Sequence, residues 1–548
     1  MKRYYISIFF ISSLIFSYSL PDFLQNNITT LKARLYLIYK EYQNQKIIIN
    51  ASNPHRTEVA SVRTDVNLPY YELGTVRKRL DKAHISLEKF LNTKLERNKV
   101  PQIGIAFSGG GYRAMILSLG YSLGLQKIGL FDSALYMSML SGSTWFGSKL
   151  IYSGSIEKVK AKDLASIKIK QFDLVSMQRH MASHPQFLVN NVIWPKFLFG
   201  QSVTTIDLYG ALLSDALYSS FSFAKKPKYL SEQKEYLIHG ALPYPIYTAV
   251  RAKERGYDWA ELTPDHFKLT EQQKSIPIWA FGRRFENNKS VDFAPEQTMG
   301  YFAGMFGSAY TVNLGDIKRI ALDGIVKDLE RTQGLEKIKY ATAATVIKLL
   351  SELKGVGQVR LSPAQLPNPF YGDVHESSKN MVLVDAGIDY NLPLAPLMQK
   401  NRNLDLIIVG DASGNIASGA ELQKFFSYAK KQYGLTYKRT DDKAYQNFGV
   451  YKADKKAPVI VYLNFMNDKK MVQKFIQDPT LGPLIKTYAL DTFDPQTCGY
   501  CSTINFDYST QNYTQLSTVG EFAVRAHEQV IRNVIEDIVV SKKNESNK

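Results

Sequence analysis

The chain reads as an α/β protein with a mostly parallel central sheet and a long insertion of helices and loops. Three observations carry this. Short, largely apolar runs at Ile103–Phe107, Leu135–Leu140, Met381–Val384, Leu404–Val409 and Val459–Phe465 have the character of strands buried on both faces. Helical periodicity follows several of them, the alternation that builds parallel sheets. Ser108–Gly111, Ser141, Asp385 and Asp411 all fall just beyond the carboxyl end of such a run, where open α/β sheets bind ligands.

Taken in order, the first segment begins with Lys2 and Arg3, continues through the apolar stretch Tyr4–Phe16 and reaches small residues at Ser17-Tyr18-Ser19. This is the pattern of an export signal cleaved after Ser19; the run is too short for a spanning helix of about 20 residues. A largely helical arm is expected over 20–79. Val76, Leu80, Ala83, Leu87 and Phe90 recur at helical spacing within Thr75–Leu95, and Pro101 closes that stretch. The main domain is placed at 80–540. Its first strand, Ile103–Phe107, runs into the glycine turn SGGGYRAM (Ser108–Met115) and a helix over Tyr112–Lys127. The second, Leu135–Leu140, runs into LSGSTW (Leu140–Trp145) and a helix over Ser143–Tyr152. Prolines at 185, 195, 243, 245, 264 and 277 break up residues 155–300, which read as helices and loops laid over the sheet as a lid. Val519–Val540 is helical, and 541–548 is a polar tail.

Composition limits the function classes. With 45% hydrophobic and 12% aromatic residues the 548-residue chain can bury a large core, and no repeat or low-complexity tract argues otherwise. The formal charge of +18 favours anionic partners, nucleic acid or an anionic lipid surface. The basic residues are dispersed, so charge alone does not choose between them. Cys498 and Cys501 form CGYC, suited to a short disulfide or to two free thiols; a zinc site lacks its second ligand pair.

The chemistry sits in the turns. Gly109, Gly110 and Gly111 permit positive φ, and backbone N–H groups at the start of the following helix can hold an anion. Gly109-x-Gly111-x-x-Ala114 loosely matches a dinucleotide fingerprint, but the next strand ends at Ser141 rather than at the required acid. Ser141 is either a helix cap or a nucleophile on a strand-to-helix elbow. A serine nucleophile needs a base. None of the eight histidines, His180 and His184 included, sits at a strand end followed by a turn. Asp385, in VDAGIDYNLP, does, and a buried carboxylate with a raised pKa can take a serine proton directly.

SGGGYRAM, LSGSTW and VDAGIDYNLP together resemble the three signatures of the lysophospholipase/phospholipase B and cytosolic phospholipase A catalytic domain. The likeness extends through HISLEKFLN, PYPIYTAV, WAELTP, PNPFYG and INFDYS over about 80–548, and in layout it is nearest the secreted phospholipase B branch. It implies a three-layer patatin/lysophospholipase-like fold and a secreted or periplasmic hydrolase of glycerophospholipid acyl esters. It further implies a Ser141–Asp385 dyad, oxyanion-hole glycines Gly110 and Gly111, Arg113 facing the substrate phosphate, and Asn391 supporting the Asp385 loop. No cofactor or metal is implied; the expected partner is a phospholipid membrane or micelle surface, not nucleic acid. The alternatives are a neutral lipase or acyltransferase on the same fold, or a non-catalytic lipid-binding homologue. Met139 departs from the small residue usual two positions before the serine, where a tight elbow leaves little room.

Overall fold

The computed structural model describes residues 43–159, 194–218, 227–309 and 363–546, apart from short breaks at 65–66, 203, 273, 374–375, 377, 415, 442–446, 504 and 506–507. The expected signal at 1–19 and the pair His180 and His184 lie outside them.

A twelve-stranded mixed sheet forms the centre. Five strands run parallel: β1 (Ile103–Phe107), β2 (Ala134–Leu140), the first half of β3 (Tyr244–Ala252), β9 (Leu406–Asp411) and β12 (Val459–Asn464), side by side as β12-β9-β1-β2-β3. β1 and β2 are buried at every residue, which is why both read as apolar runs, broken only by Ser138 in β2. Beyond β3, the strands β4 (Tyr257–Leu262), β5 (His266–Leu269) and β6 (Lys274–Pro277) continue the sheet antiparallel. β8 (Asn380–Asp385) attaches antiparallel to the far half of β3, and β7 (Ala364–Pro367) pairs antiparallel with β8. β10 (Tyr437–Arg439) and β11 (Phe448–Ala453) finish the other edge. The parallel centre is thus as expected, but antiparallel strands extend it on both sides.

Helices cover both faces. Successive residues of β2 point to opposite sides. Met137 and Met139 lie against Gly147 of α3 (Gly142–Ser153), and Tyr136 on the other side meets Glu72 of α1 (Tyr70–Leu91). α2 (Gly111–Lys127) packs beside α3 and is buried along almost its whole length. α4 (Thr205–Tyr218) and α5 (Met299–Phe306) pack on each other and on α3. α6 (Ala420–Tyr433) ends in a left-handed glycine, Gly434. α7 (Thr510–Arg525) lies along α2, and α8 (Glu528–Ser546) follows.

The structure corrects four expectations. Among the described residues of 155–300, four strands between Tyr244 and Pro277 stand where helices and loops were expected. Pro245 stands near the start of β3, where a proline is tolerated, and Pro264 and Pro277 mark a turn and a strand end. The boundary at 79/80 falls inside α1, so the arm is part of the domain. The buried Arg79 donates to the carbonyls of Ala134 at 2.8 Å, Ala241 at 2.9 Å and Phe131 at 3.0 Å. That helix also stops early: Asn92 takes a left-handed conformation at its end. Finally, the supposed polar tail continues α8 to Ser546, and Lys542 pairs with Asp405 at 2.7 Å.

The α1 face carries a buried ionic network. Arg402 reaches Glu72 at 3.0 Å and Glu261 at 2.7 Å, while His266 lies 3.3 Å from Glu261. Burial pushes the Glu261 carboxyl up, but Arg402, His266 and Lys268 outweigh it and hold it well below the carboxylate range. Removing one member of such a network strands a buried charge, at a typical cost of about 3–5 kcal/mol. The network therefore fixes α1, β4 and β5 together by mutual dependence. Among the described residues no helix is long and apolar enough to cross a membrane.

Candidate active site

The site forms where β1, β2, β8 and β9 end. Ser141 links β2 to α3 with φ 53° and ψ −124°, a conformation that non-glycine residues avoid. Such a backbone costs on the order of 1–3 kcal/mol and persists only where neighbours enforce it. Two features enforce it. Ser143 Oγ donates to the Phe107 carbonyl and accepts from Leu140 N, both at 2.8 Å, tying the elbow to the end of β1. Gly142 lies so close to the glycine loop that a Cβ there would stand 1.8 Å from the Gly111 carbonyl oxygen.

Met139 fits because its side chain points away from the turn. It is fully buried, and its sulfur occupies the place a Cβ on Gly147 would need, 1.8 Å from it. The missing side chain on α3 thus supplies the room that the elbow does not.

The glycine loop curls over this elbow. Gly110 caps α2 with φ 140° and Gly111 opens it with φ 62°, so both need the freedom of glycine. The first N–H groups of a helix have no intrahelical acceptor and form a site for negative charge. Ser108 Oγ accepts from Ala412 N at 2.6 Å, fastening the loop to the end of β9.

Asp385 ends β8 and is buried. Its Oδ1 accepts from Gly387 N at 2.9 Å. Burial raises its pKa from 3.8 to about 6; hydrogen bonding from Gly387 N, from the Ser141 hydroxyl and from Ala309 N draws it back only in part. Oδ2 is buried and makes no hydrogen bond of good geometry, so the approach of Ser141 to the carboxyl is loose at rest, as is common before substrate binds.

Asn391 sits between the two loops. Its carbonyl accepts from Gly109 N at 3.2 Å, and its Oδ1 fills the space beside both Gly109 and Gly387. Arg113 is buried. It donates from Nε to the Ala412 carbonyl at 2.9 Å and from Nη1 to the Cys501 carbonyl at 2.5 Å, lies over the Phe465 ring, and brings Nη2 beside Gly110. Asp411, also at a strand end, is engaged by Tyr462 and Ser413. Cys498 and Cys501 are joined in a disulfide, which resolves the two readings of CGYC and places its loop against Arg113.

Four predicted residues therefore converge: Ser141, Asp385 and the Gly110–Gly111 turn, with Asn391 wedged between the turn and the Asp385 loop. Four of the described histidines are engaged elsewhere: His84 with the Leu95 carbonyl, His266 with Glu261, His527 with the Ala523 carbonyl, and His55 stacked on Trp279; the fifth, His239, is an exposed turn residue. Among the described residues no group of three or more His, Cys, Asp or Glu is placed to hold a metal. Sequence reasoning missed Ser143, Ser108 and Ser308, which fasten the turns. Ser108, in SGGGYRAM, and Ser143, in LSGSTW, stood in motifs without being given these roles; Ser308 stood in none.

A serine on a strained elbow, beside a buried carboxylate and under a glycine turn, is the arrangement of an α/β protein equipped for acyl transfer. The chain belongs to the lysophospholipase catalytic-domain family, whose model matches residues 103–431, well over half its length. It is 31% identical to human cytosolic phospholipase A2 zeta over 233 residues, 41% of this chain and 27% of that protein. It is 30% identical to mouse cytosolic phospholipase A2 delta over 256 residues, 44% of this chain and 29% of that protein. These alignments span less than a third of the relatives' length. The solved structure of human GIVD cytosolic phospholipase A2 shares the fold, with a TM-score of 0.66, 20% identity, and coverage of 88% of this chain and 66% of that one.

Proposed function

We propose that the protein hydrolyses fatty-acyl esters of glycerophospholipids. The observation that carries this reading is the meeting of the Ser141 hydroxyl with the buried Asp385 carboxyl beneath the Gly110–Gly111 turn, in a chain of the lysophospholipase family. Asp385 takes the Ser141 proton as Oγ bonds to the ester carbon. The N–H groups of Gly110 and Gly111 meet the oxyanion; the proton passes to the departing alkoxide as the carbon–oxygen bond breaks. Water then attacks the acyl-serine with Asp385 again as base, releasing fatty acid and restoring the hydroxyl. Arg113, with Nη2 beside Gly110, holds the phosphate, and Asn391 keeps the two loops in register. The substrate is met at a membrane or micelle surface, to which the charge of +18 draws the protein when anionic lipid is present.

Ser141→Ala should lower fatty-acid release from lysophosphatidylcholine or phosphatidylcholine micelles by about 10⁴-fold or more. A structural relative is known in complex with methyl gamma-linolenyl fluorophosphonate, which supplies the companion probe: wild type should be labelled and Ser141→Ala should not. Full turnover by Ser141→Ala ends the assignment.

Export is part of the proposal. It is supported by the basic, apolar and small-residue pattern of residues 1–19 and by the Cys498–Cys501 disulfide, a bond favoured in oxidising compartments. N-terminal sequencing of protein recovered from the producing cell's exterior or periplasm should begin at Leu20; retention of Met1–Ser19 in cytosolic material contradicts it.

A further inference from the structure

Asp385 is held from two sides, and only one belongs to its own loop. On the second side stands the short segment that closes α5, Gly307-Ser308-Ala309. Asp385 N donates to Ser308 Oγ at 3.1 Å, and Ala309 N faces the Asp385 carboxyl and helps to lower its pKa. Ser308 is 1% exposed, so this contact is made without competition from solvent. The same segment is locked to the helix that carries Ser141. Gly307 presses on Trp145 so closely that a Cβ would stand 2.5 Å from Cζ2, and Trp145 Nε1 donates to the Ala303 carbonyl at 3.1 Å. Trp145 lies on α3, four residues after Ser141.

We propose that Ser308 is a positioning residue: through the Asp385 backbone on one side and the Gly307–Trp145 contact on the other, it sets the carboxylate opposite the Ser141 hydroxyl. This rests on the Ser141–Asp385 reading above. The segment keeps two groups in register that lie 244 positions apart in the chain and arrive on different strands. Errors of about 1 Å in such a register cost on the order of 10²-fold in rate. The groups acting on the carboxyl, Gly387 N, the Ser141 hydroxyl and Ala309 N, are all uncharged. A change in the acid limb of the pH profile therefore reports on these few bonds.

The test compares the full chain with Ser308→Ala and Ser308→Thr, using kcat, KM, the pH dependence of kcat and the melting midpoint. Ser308→Ala should lower kcat by about 10–100-fold with little change in KM. Its acid limb should move to higher pH, since displacing Ala309 N from the carboxyl withdraws support from the ionised form. Ser308→Thr keeps the oxygen and should recover most of the rate. An unchanged kcat and acid limb in Ser308→Ala overturns the proposal. So does an equal loss in both variants that follows the melting midpoint with no shift of the limb. Should Ser308→Ala fail to fold, Gly307→Ala pushes the segment off Trp145 while keeping the Ser308 hydroxyl and the Ala309 N–H, and so shifts both relative to Asp385; its limb must move the same way, and a fixed limb overturns the coupling. Failure of the underlying dyad shows differently, as equal turnover by wild type and Ser141→Ala.

Discussion

Asp385→Asn is expected to abolish turnover, by about 10⁴-fold, while making the protein more stable at neutral pH. Both effects have one cause. Burial holds the folded-state pKa at about 6, against about 3.9 for an aspartate in an unfolded chain. A raised carboxyl pKa contributes stability that is fully present below the unfolded value and is lost as pH rises through the folded one. Wild type therefore carries the cost of an ionised, buried carboxylate from about pH 6 upward. Two pKa units correspond to roughly 3 kcal/mol, so the asparagine variant should gain on the order of 1–3 kcal/mol near pH 7–8. Its carbonyl oxygen can still accept from Gly387 N. The gain should shrink as pH falls and vanish below about pH 4, where wild type is neutral too. Melting midpoints of the two proteins across pH 4–8 check this. Parallel pH curves would mean that Asp385 is not the strained base described here. In wild type the same ionisation should appear as an activity that rises with pH through about 6.

The readable parts of the fold were those where one physical demand dominates. β1, β2, β9 and β12 lie inside the sheet with neighbours on both edges, and mostly apolar side chains suit such strands, so the runs stood out. The turns after β1, β2 and β8 stood out because each ends in residues whose chemistry a buried strand has no use for. β4 and β5 escaped notice for the opposite reason. Glu261, His266 and Lys268 are buried and matched to one another, to Gln399 and to Arg402, partners scattered through the chain. Their polarity resembles that of a solvated loop until the partners are assembled. Pro245 misled in the same region, since its position near the start of β3 is clear only once its neighbour is known. Within the site, Ser141 and Asp385 could be found by their place on turns, whereas Ser308 could not. It follows a helix, belongs to no signature, and matters only through the carboxylate it meets across the fold.

Gly142→Ala is expected to separate two parts of the site that the dyad variants leave intact. The added methyl would lie 1.8 Å from the Gly111 carbonyl oxygen and 2.5 Å from its carbon. These are backbone atoms, so no rotamer change relieves the overlap, and the glycine turn must withdraw from the elbow by more than an ångström. Ser141 keeps its hydroxyl and Asp385 its carboxyl. What is lost is the register between the ester carbon and the N–H groups of Gly110 and Gly111. Loss of one oxyanion donor typically costs about 2.7–4 kcal/mol of transition-state stabilisation, or 10²–10³-fold in kcat, and a forced overlap about 1–3 kcal/mol of stability. The variant should therefore fold with a lowered melting midpoint, show kcat reduced by roughly those factors, and retain an acid limb near pH 6, because burial of Asp385 is untouched. That combination distinguishes it from Ser308→Ala, whose limb should move. Wild-type kcat in Gly142→Ala would show that the turn at 110–111 is not where the developing oxyanion is held, and the cradle would have to be sought among other donors at the strand ends.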